Sequence, residues 1–295
     1  MKTATTAPAS ALPALSLPLL FILMWSSGYI VGKLALPDVG PFTLTFIRFA
    51  SAATILLVVA LISRAPWPAS RAQVGHLMVA GLLMQALQFG GLYMGLQKGV
   101  PAGIAALIVG TMPVLTALGA QRFLGEKVGP VEWLGLVGGL VGVTLVVGEQ
   151  LAGVADLGAY LYVVLALLGI AGGTVYQKKF CSTMDLRTGG CIQLATAALV
   201  MVLLADQFES LQVRWTPTLL FATGWLSLVN SIGAISILFV LVRKGEASKV
   251  AGLFHLVPAV TALLGAVLLG EHFSVVNGIG FAITAAAVYA CTHRP

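Results

Sequence analysis

The side chains of this chain that could do chemistry are few, and they sit within long apolar runs. Arg48, Gln85, Gln88, Asn230 and His255 interrupt such runs, Trp25 stands beside Ser26 and Ser27, and Tyr93, Thr111 and Tyr176 add hydroxyls. These groups suit reversible hydrogen bonding to a polar solute, and His255 could also carry a proton. An enzyme would need a convergent nucleophile, base or metal set, and the runs offer only His255 for it. Cys181, Cys191 and Cys291 have neither ligand spacing nor a disulfide pattern, so no metal and no cofactor is expected.

The elements that carry these residues follow from composition. The chain is 59% hydrophobic and 9% charged with a mean hydropathy of +1.00, against about 25% charged residues in soluble domains. Such a chain cannot cover its apolar surface in water and belongs in a bilayer. About 20 apolar residues cross the hydrocarbon, and ten runs qualify: 17–36, 41–63, 75–97, 101–121, 128–148, 157–178, 187–205, 217–242, 247–269 and 274–291. The seventh is the weakest, being short and carrying Gln193. Residues 1–16 read as a polar tail, and the apolar run after them is too long for a signal-peptide core. The fold class predicted is an all-α polytopic membrane protein with short loops.

The chain repeats itself. Lys98-Gly99, Pro113, Gly125-Glu126 and Gly135 recur, at an offset of about 145 residues, as Lys244-Gly245, Pro258, Gly270-Glu271 and Gly280. The same offset pairs Gly28 with Gly173, Lys33 with Lys178 and Gln85 with Asn230. An internal repeat over half a chain dictates the architecture. Here it predicts two five-helix halves, 17–152 and 153–292, meeting near Gly153. Lys and Arg are retained on the cytoplasmic side. With both termini placed there, only Lys33, Lys98 and Arg214 of the sixteen positives fall outside, and Arg48 lies within a helix. The net charge of +6 therefore reports topology and calls for no nucleic-acid partner. Trp67 and Trp133 would anchor the inner boundary, and Tyr160, Tyr162 and Trp215 the outer one. Five helices per half, an odd number, invert the second half, the arrangement of many secondary transporters.

The paired proline and Gly-Glu motifs, with Trp25-Ser26-Ser27-Gly28 in the first helix and Ile47-Arg48-Phe49 in the second, resemble the drug/metabolite transporter superfamily and its EamA branch over about residues 17–291. Within that branch the chain resembles the YddG-like amino-acid exporters. The resemblance implies a cavity on the pseudo-two-fold axis, lined by helices 1, 3, 4, 6, 8 and 9, with helices 5 and 10 at the periphery. It also allows two exclusions. Small multidrug relatives use a membrane glutamate in helix 1, where this chain has Met24-Trp25-Ser26-Ser27. Phosphate-carrying relatives need clustered buried cations, and one arginine is poor provision.

Each candidate has a structural reading beside a functional one. Pro113 and Pro258 kink their helices, either to shape and gate the cavity or as packing features that membrane helices tolerate. Gln85 and Asn230, with Gln88 three residues after Gln85, either hold helices together or offer donors and acceptors to a solute. Trp25, Ser26 and Ser27 form a bulky wall with a polar notch, or plain packing; Tyr93, Thr111 and Tyr176 read likewise. His255 leans to function as an intramembrane ionisable group. Arg48 lies about 10 Å from the start of its helix at 1.5 Å per residue. It leans to structure, since it could snorkel outward.

Gly135 and Gly139, and Gly138 and Gly142, make overlapping GxxxG patterns on helix 5, while helix 10 has Gly278, Gly280, Ala282 and Ala286. Small residues permit close helix approach, within the chain or across a homodimer. The expectation is an inner-membrane secondary transporter that exports a small amino acid or related metabolite by alternating access. Drug efflux is the alternative, with a membrane enzyme or scaffold more remote. Its partners would be that solute and the bilayer.

Overall fold

The computed structural model describes residues 12–125, 129–151, 157–209, 211–234, 237 and 256–292. His255, Lys244-Gly245, Glu126, the junction at Gly153 and most of the N-terminal tail lie outside them. Among the described residues the regular elements are all helices, joined by short turns and loops, with one isolated bridge between Val39 and Val213. In chain order the helices are α1 (Leu12–Ala35), α2 (Pro41–Ile62), α3 (Arg71–Gln97), α4 (Ala102–Leu124), α5 (Pro130–Leu151), α6 (Leu157–Phe180) and α7 (Leu186–Phe208). Then come α8 (Pro217–Gly224, continued as π turns over Trp225–Ala234), α9 (Val257–Leu269) and α10 (Val275–Thr292). Six of them, α1, α2, α3, α4, α6 and α7, are long and apolar enough to cross a membrane.

Local sequence explains the boundaries. Pro41 opens α2 and Pro217 opens α8, where the missing N–H costs nothing. Ser70, Asp185 and Thr216 cap α3, α7 and α8 with side-chain oxygens. Gly125 and Gly270 end α4 and α9 in the left-handed region, at φ 71° and 66°. The run with Gln193, weakest by sequence, is a full 23-residue helix. The helix α1 begins at Leu12, earlier than the expected 17, because Leu12, Ala14 and Leu15 continue its apolar run.

Elements 145 residues apart correspond closely. The second part of α4 runs Met112–Leu124 and α9 runs Val257–Leu269, each with a proline at its second position. A π segment covers Leu82–Leu87 in α3 and another covers Trp225–Ala234 in α8. The pairing of helices has the same regularity: α2 packs on α7, α4 on α9, α5 on α10, α1 on α8, and α3 on α6.

Small residues set these crossings. Ala52, Ala53, Ala197 and Ala198 bring α2 and α7 together beside Phe49 and Met201. A β-carbon on Gly142 would strike Thr284 and the Gly280 carbonyl, so the α5 and α10 backbones meet there. Gly142, and Gly138 against Ala287, thus serve packing inside the chain. Trp67, Trp133 and Trp215 are exposed, as expected of interfacial anchors, whereas Tyr160 is 3% exposed. The expectation for Tyr160 is corrected: its ring packs in the main core cluster instead of facing lipid.

Three carboxylates tie one end of the bundle, the end that carries Lys33. Glu209, just past α7, accepts from the backbone N–H groups of Phe42 and Thr43 at 2.6 and 2.8 Å and from the Thr43 hydroxyl at 2.8 Å. Glu271, between α9 and α10, accepts from Ala102 N at 2.9 Å and from Lys33 Nζ at 2.6 Å. Asp38 accepts from Thr216 at 2.6 Å and pairs with Arg214 at 3.1 Å. Glu209 and Glu271 therefore cap the starts of α2 and α4, where the helix dipole favours negative charge.

Candidate functional site

One cluster of buried polar side chains lies where α1, α2, α3 and α8 cross. Arg48 on α2 is 5% exposed. Its Nε donates to Ser231 Oγ on α8 at 2.9 Å, and its Nη1 to the Tyr93 hydroxyl on α3, also at 2.9 Å. The guanidinium lies over the Phe89 ring at 4.2 Å from the centroid, with Phe49 at 5.6 Å, a cation–π arrangement. Outward snorkelling is therefore ruled out: Arg48 turns inward, because acceptors from two other helices converge on it. One turn on, the Ser51 and Ser227 hydroxyls meet at 2.7 Å.

The helix α1 forms the next wall. The Tyr93 hydroxyl points to the Gly28 carbonyl at 3.5 Å, and its ring fills the space a side chain on Gly32 would need. Gly28 does the same for Asn230, whose amide group lies 2.8 Å from where a β-carbon would stand. Asn230 Nδ2 donates to the Met24 carbonyl, which fixes the amide orientation, and Oδ1 is buried with no hydrogen-bond partner among the described residues. Trp225 Nε1 donates to Ser27 Oγ at 2.8 Å, while Ser26 reaches the Val257 carbonyl of α9 at 3.4 Å. Trp25 is partly buried against the same core, tilted on Phe21.

Of the residues singled out from sequence, Ser26, Ser27, Tyr93, Asn230 and Arg48 belong to this connected cluster, with Trp25 alongside. Gln85 falls in the π segment of α3 and Gln88 begins the α turns after it. The π turns widen the helix between them, so α-helical spacing alone does not place them on one face. Thr111 spends its hydroxyl on Ile108 O at 2.7 Å, at the break in α4. Pro113 follows that break, and Pro258 packs against Gly110 across the α4–α9 crossing. Tyr176 sits apart, toward the other end of the bundle, bonded to His76 Nδ1 at 2.8 Å, with His76 stacked on Phe180. His255 lies outside the described residues.

Sequence reasoning missed Ser51, Ser227, Ser231, Phe89, Trp225 and His76. Ser227 and Ser231 are four apart beside Asn230, a faint signal of a polar stripe; Phe89 and Trp225 carried none. Two clefts, of about 210 and 300 Å³, open elsewhere, one beside Gly119 and Tyr176, the other beside Gly90 and Met94. Both are apolar, and neither is lined by Arg48 or Asn230. Among the described residues no group of His, Cys, Asp or Glu could hold a metal.

Apolar helices around an interior polar cluster define a multi-pass membrane protein. The sequence model of the EamA-like transporter family matches the chain twice, over residues 12–148 and 157–292. The chain belongs to the EamA-like transporter family, within the drug/metabolite transporter superfamily. It is 28% identical over 271 residues to "Uncharacterized inner membrane transporter YedA" of Escherichia coli K12, covering 92% of this chain and 87% of that one. It is 27% identical over 286 residues to the "Probable amino-acid metabolite efflux pump" of the same organism, covering 92% of each. A solved crystal structure with 22% identity superposes with a TM-score of 0.63 over 95% of this chain and 96% of its own, which shows a shared fold.

Proposed function

We propose that this chain is a secondary transporter that exports small amino acids or related metabolites across the inner membrane. Ten spans form two inverted five-helix repeats, 17–152 and 153–292, which rock about a midplane site with both termini cytoplasmic. The 145-residue correspondence of helix bounds and π segments supports the repeat, as does the tandem family match. Pro113 and Pro258 sit at matched depths and serve as the bending points.

The observation that carries the functional reading is the Oδ1 of Asn230, unpartnered among the described residues and buried in an apolar bundle beside hydroxyls and a guanidinium. A buried polar atom without a partner is costly, and a bound polar solute would satisfy it. Trp25, Ser26, Ser27 and Tyr93 complete the wall, and Gln85 and Gln88 of α3 are assigned to the same site. Among the described residues no nucleophile–base pair accompanies them, and binding and release is the chemistry they support.

The test is uptake of labelled amino acids into liposomes holding the purified protein, with and without a pH gradient. Saturable flux without the gradient, reduced in Asn230→Ala and Gln85→Ala, is expected of a facilitator. Flux that needs the gradient and vanishes in His255→Ala would make it proton-coupled. Cationic dyes moving while amino acids do not would replace this reading with drug efflux.

A further inference from the structure

We propose that Arg48 is the receptor for a carboxylate on the transported solute; this rests on the transporter reading above and narrows its substrate class. The argument begins with charge. Among the described residues every contact of Arg48 is neutral: two hydroxyls and two aromatic rings. The ion pairs among the described residues, Lys33–Glu271, Arg187–Asp185 and Arg214–Asp38, all lie at helix ends or in loops and leave Arg48 without a counter-ion. A guanidinium carries five N–H donors in a planar fork, and hydrogen bonds to Ser231 and Tyr93 occupy two of them.

Keeping a cation inside an apolar bundle without an anion is expensive, so the position invites one to arrive. The fold itself does not need the charge. The residue 145 positions later, Gln193 on α7, is also 5% exposed, and it meets its neighbours with a neutral amide. The free edge of the Arg48 fork matches the two oxygens of a carboxylate, with which arginine makes paired hydrogen bonds. A single cation also fits one negative charge better than a phosphate dianion.

Next to Ser231 stands Asn230, 6% exposed, its Oδ1 unpartnered among the described residues and its Nδ2 held by Met24 O. An acceptor beside an unpaired cation is complementary to a zwitterion: carboxylate on Arg48, ammonium N–H on Asn230 Oδ1. Phe89 and Trp225 border the same crossing and would limit the side chain.

The test uses four compounds with one side chain: the α-amino acid, its methyl ester, the decarboxylated amine and the deaminated carboxylic acid. Ligand-induced thermal stabilisation and counterflow are measured on the full-length protein in wild-type, Arg48→Lys and Arg48→Gln forms. In wild type, the ester and amine should bind roughly tenfold or more weakly than the amino acid, since a site built around a polar group rejects the analogue that lacks it. That preference should disappear in Arg48→Gln and survive in part in Arg48→Lys. The wild-type comparison alone overturns the proposal if ester and amine match the acid, so it holds even if a variant fails to fold. A full carboxylate preference in Arg48→Gln also overturns it.

The two readings fail separately. If amino acids are idle but the deaminated acid stabilises wild type and not Arg48→Gln, the amino-acid substrate is wrong and the carboxylate receptor stands. If amino acids are moved without regard to the carboxylate, the receptor is wrong and the transporter stands. If neither carboxylate-bearing compound stabilises or is moved, the receptor assignment is overturned.

Discussion

Arg48 and Gln193 occupy corresponding places on α2 and α7, helices that pack against each other, and both are 5% exposed. Their surroundings differ in kind. Gln193 donates to Gln177 Oε1 at 3.1 Å and rests on Met184 Sδ at 3.6 Å, a neutral arrangement between α7, α6 and the loop joining them. Arg48 spends two donors on hydroxyls and keeps its charge. One crossing is finished by its own side chains, and the other, on our proposal, receives an anion. If Arg48 receives the solute as proposed, two corresponding positions have specialised: one holds the structure together, while the other is freed for a solute.

The comparison can be broken most sharply at Gln193. Gln193→Arg would place a second unpaired cation in the bundle and should cost about 2.5–3.5 kcal/mol, read as a lower unfolding midpoint in detergent. Unchanged stability would mean that the two crossings tolerate charge alike. Tyr93→Phe removes a hydroxyl bonded to a charged group and should cost about 1.5–3 kcal/mol. It should be non-additive with Arg48→Gln in a double-mutant cycle; strict additivity would separate Tyr93 from the arginine.

Gln177→Leu takes away one neutral amide contact and should cost about 1 kcal/mol while leaving solute preference untouched. A changed preference would bring the Gln193 crossing into the binding site. The smallest effect belongs to the cap of α7. Asp185 is held down to about 2 from 3.8, chiefly by its hydrogen bonds to the Arg187 side chain. A depressed carboxylate contributes stability that is complete above its unfolded value and lost as pH falls through the folded one. The stability gap between wild type and Asp185→Asn should therefore shrink between about pH 4 and pH 2. A gap that stays flat over that window would show that the carboxylate charge contributes nothing to the cap.

Much of the scaffold was legible in sequence because prolines, Gly-Glu pairs and apolar runs are properties of single positions. The break at Thr111 and the start of α9 at Val257 come where the prolines put them. The site was harder to read. Distance along α2 gave Arg48 a depth but no direction, and its direction is decided by Tyr93 and Ser231, which are 45 and 183 residues away. Tyr176 was grouped with central residues on its residue type, yet its partner His76 lies near the start of α3. The two π segments have no residue signature, and they decide which faces Gln85 and Asn230 present. The run with Gln193 looked weak because an amide lowers hydropathy; it is a full-length helix, and Gln177 meets that amide.

The carboxylates that cap α2 and α4 bear on how the protein is made. Glu209 lies 166 residues after Thr43, and Glu271 lies 169 after Ala102. At about 5–20 residues per second, a ribosome delivers each acid roughly ten to thirty seconds after the helix it completes. Throughout that interval the first turns of α2 and α4 wait at the membrane surface with backbone donors turned to water and headgroups. The early half of the chain is finished only by the late half, so assembly is confirmed near the end of translation, when the last carboxylate docks.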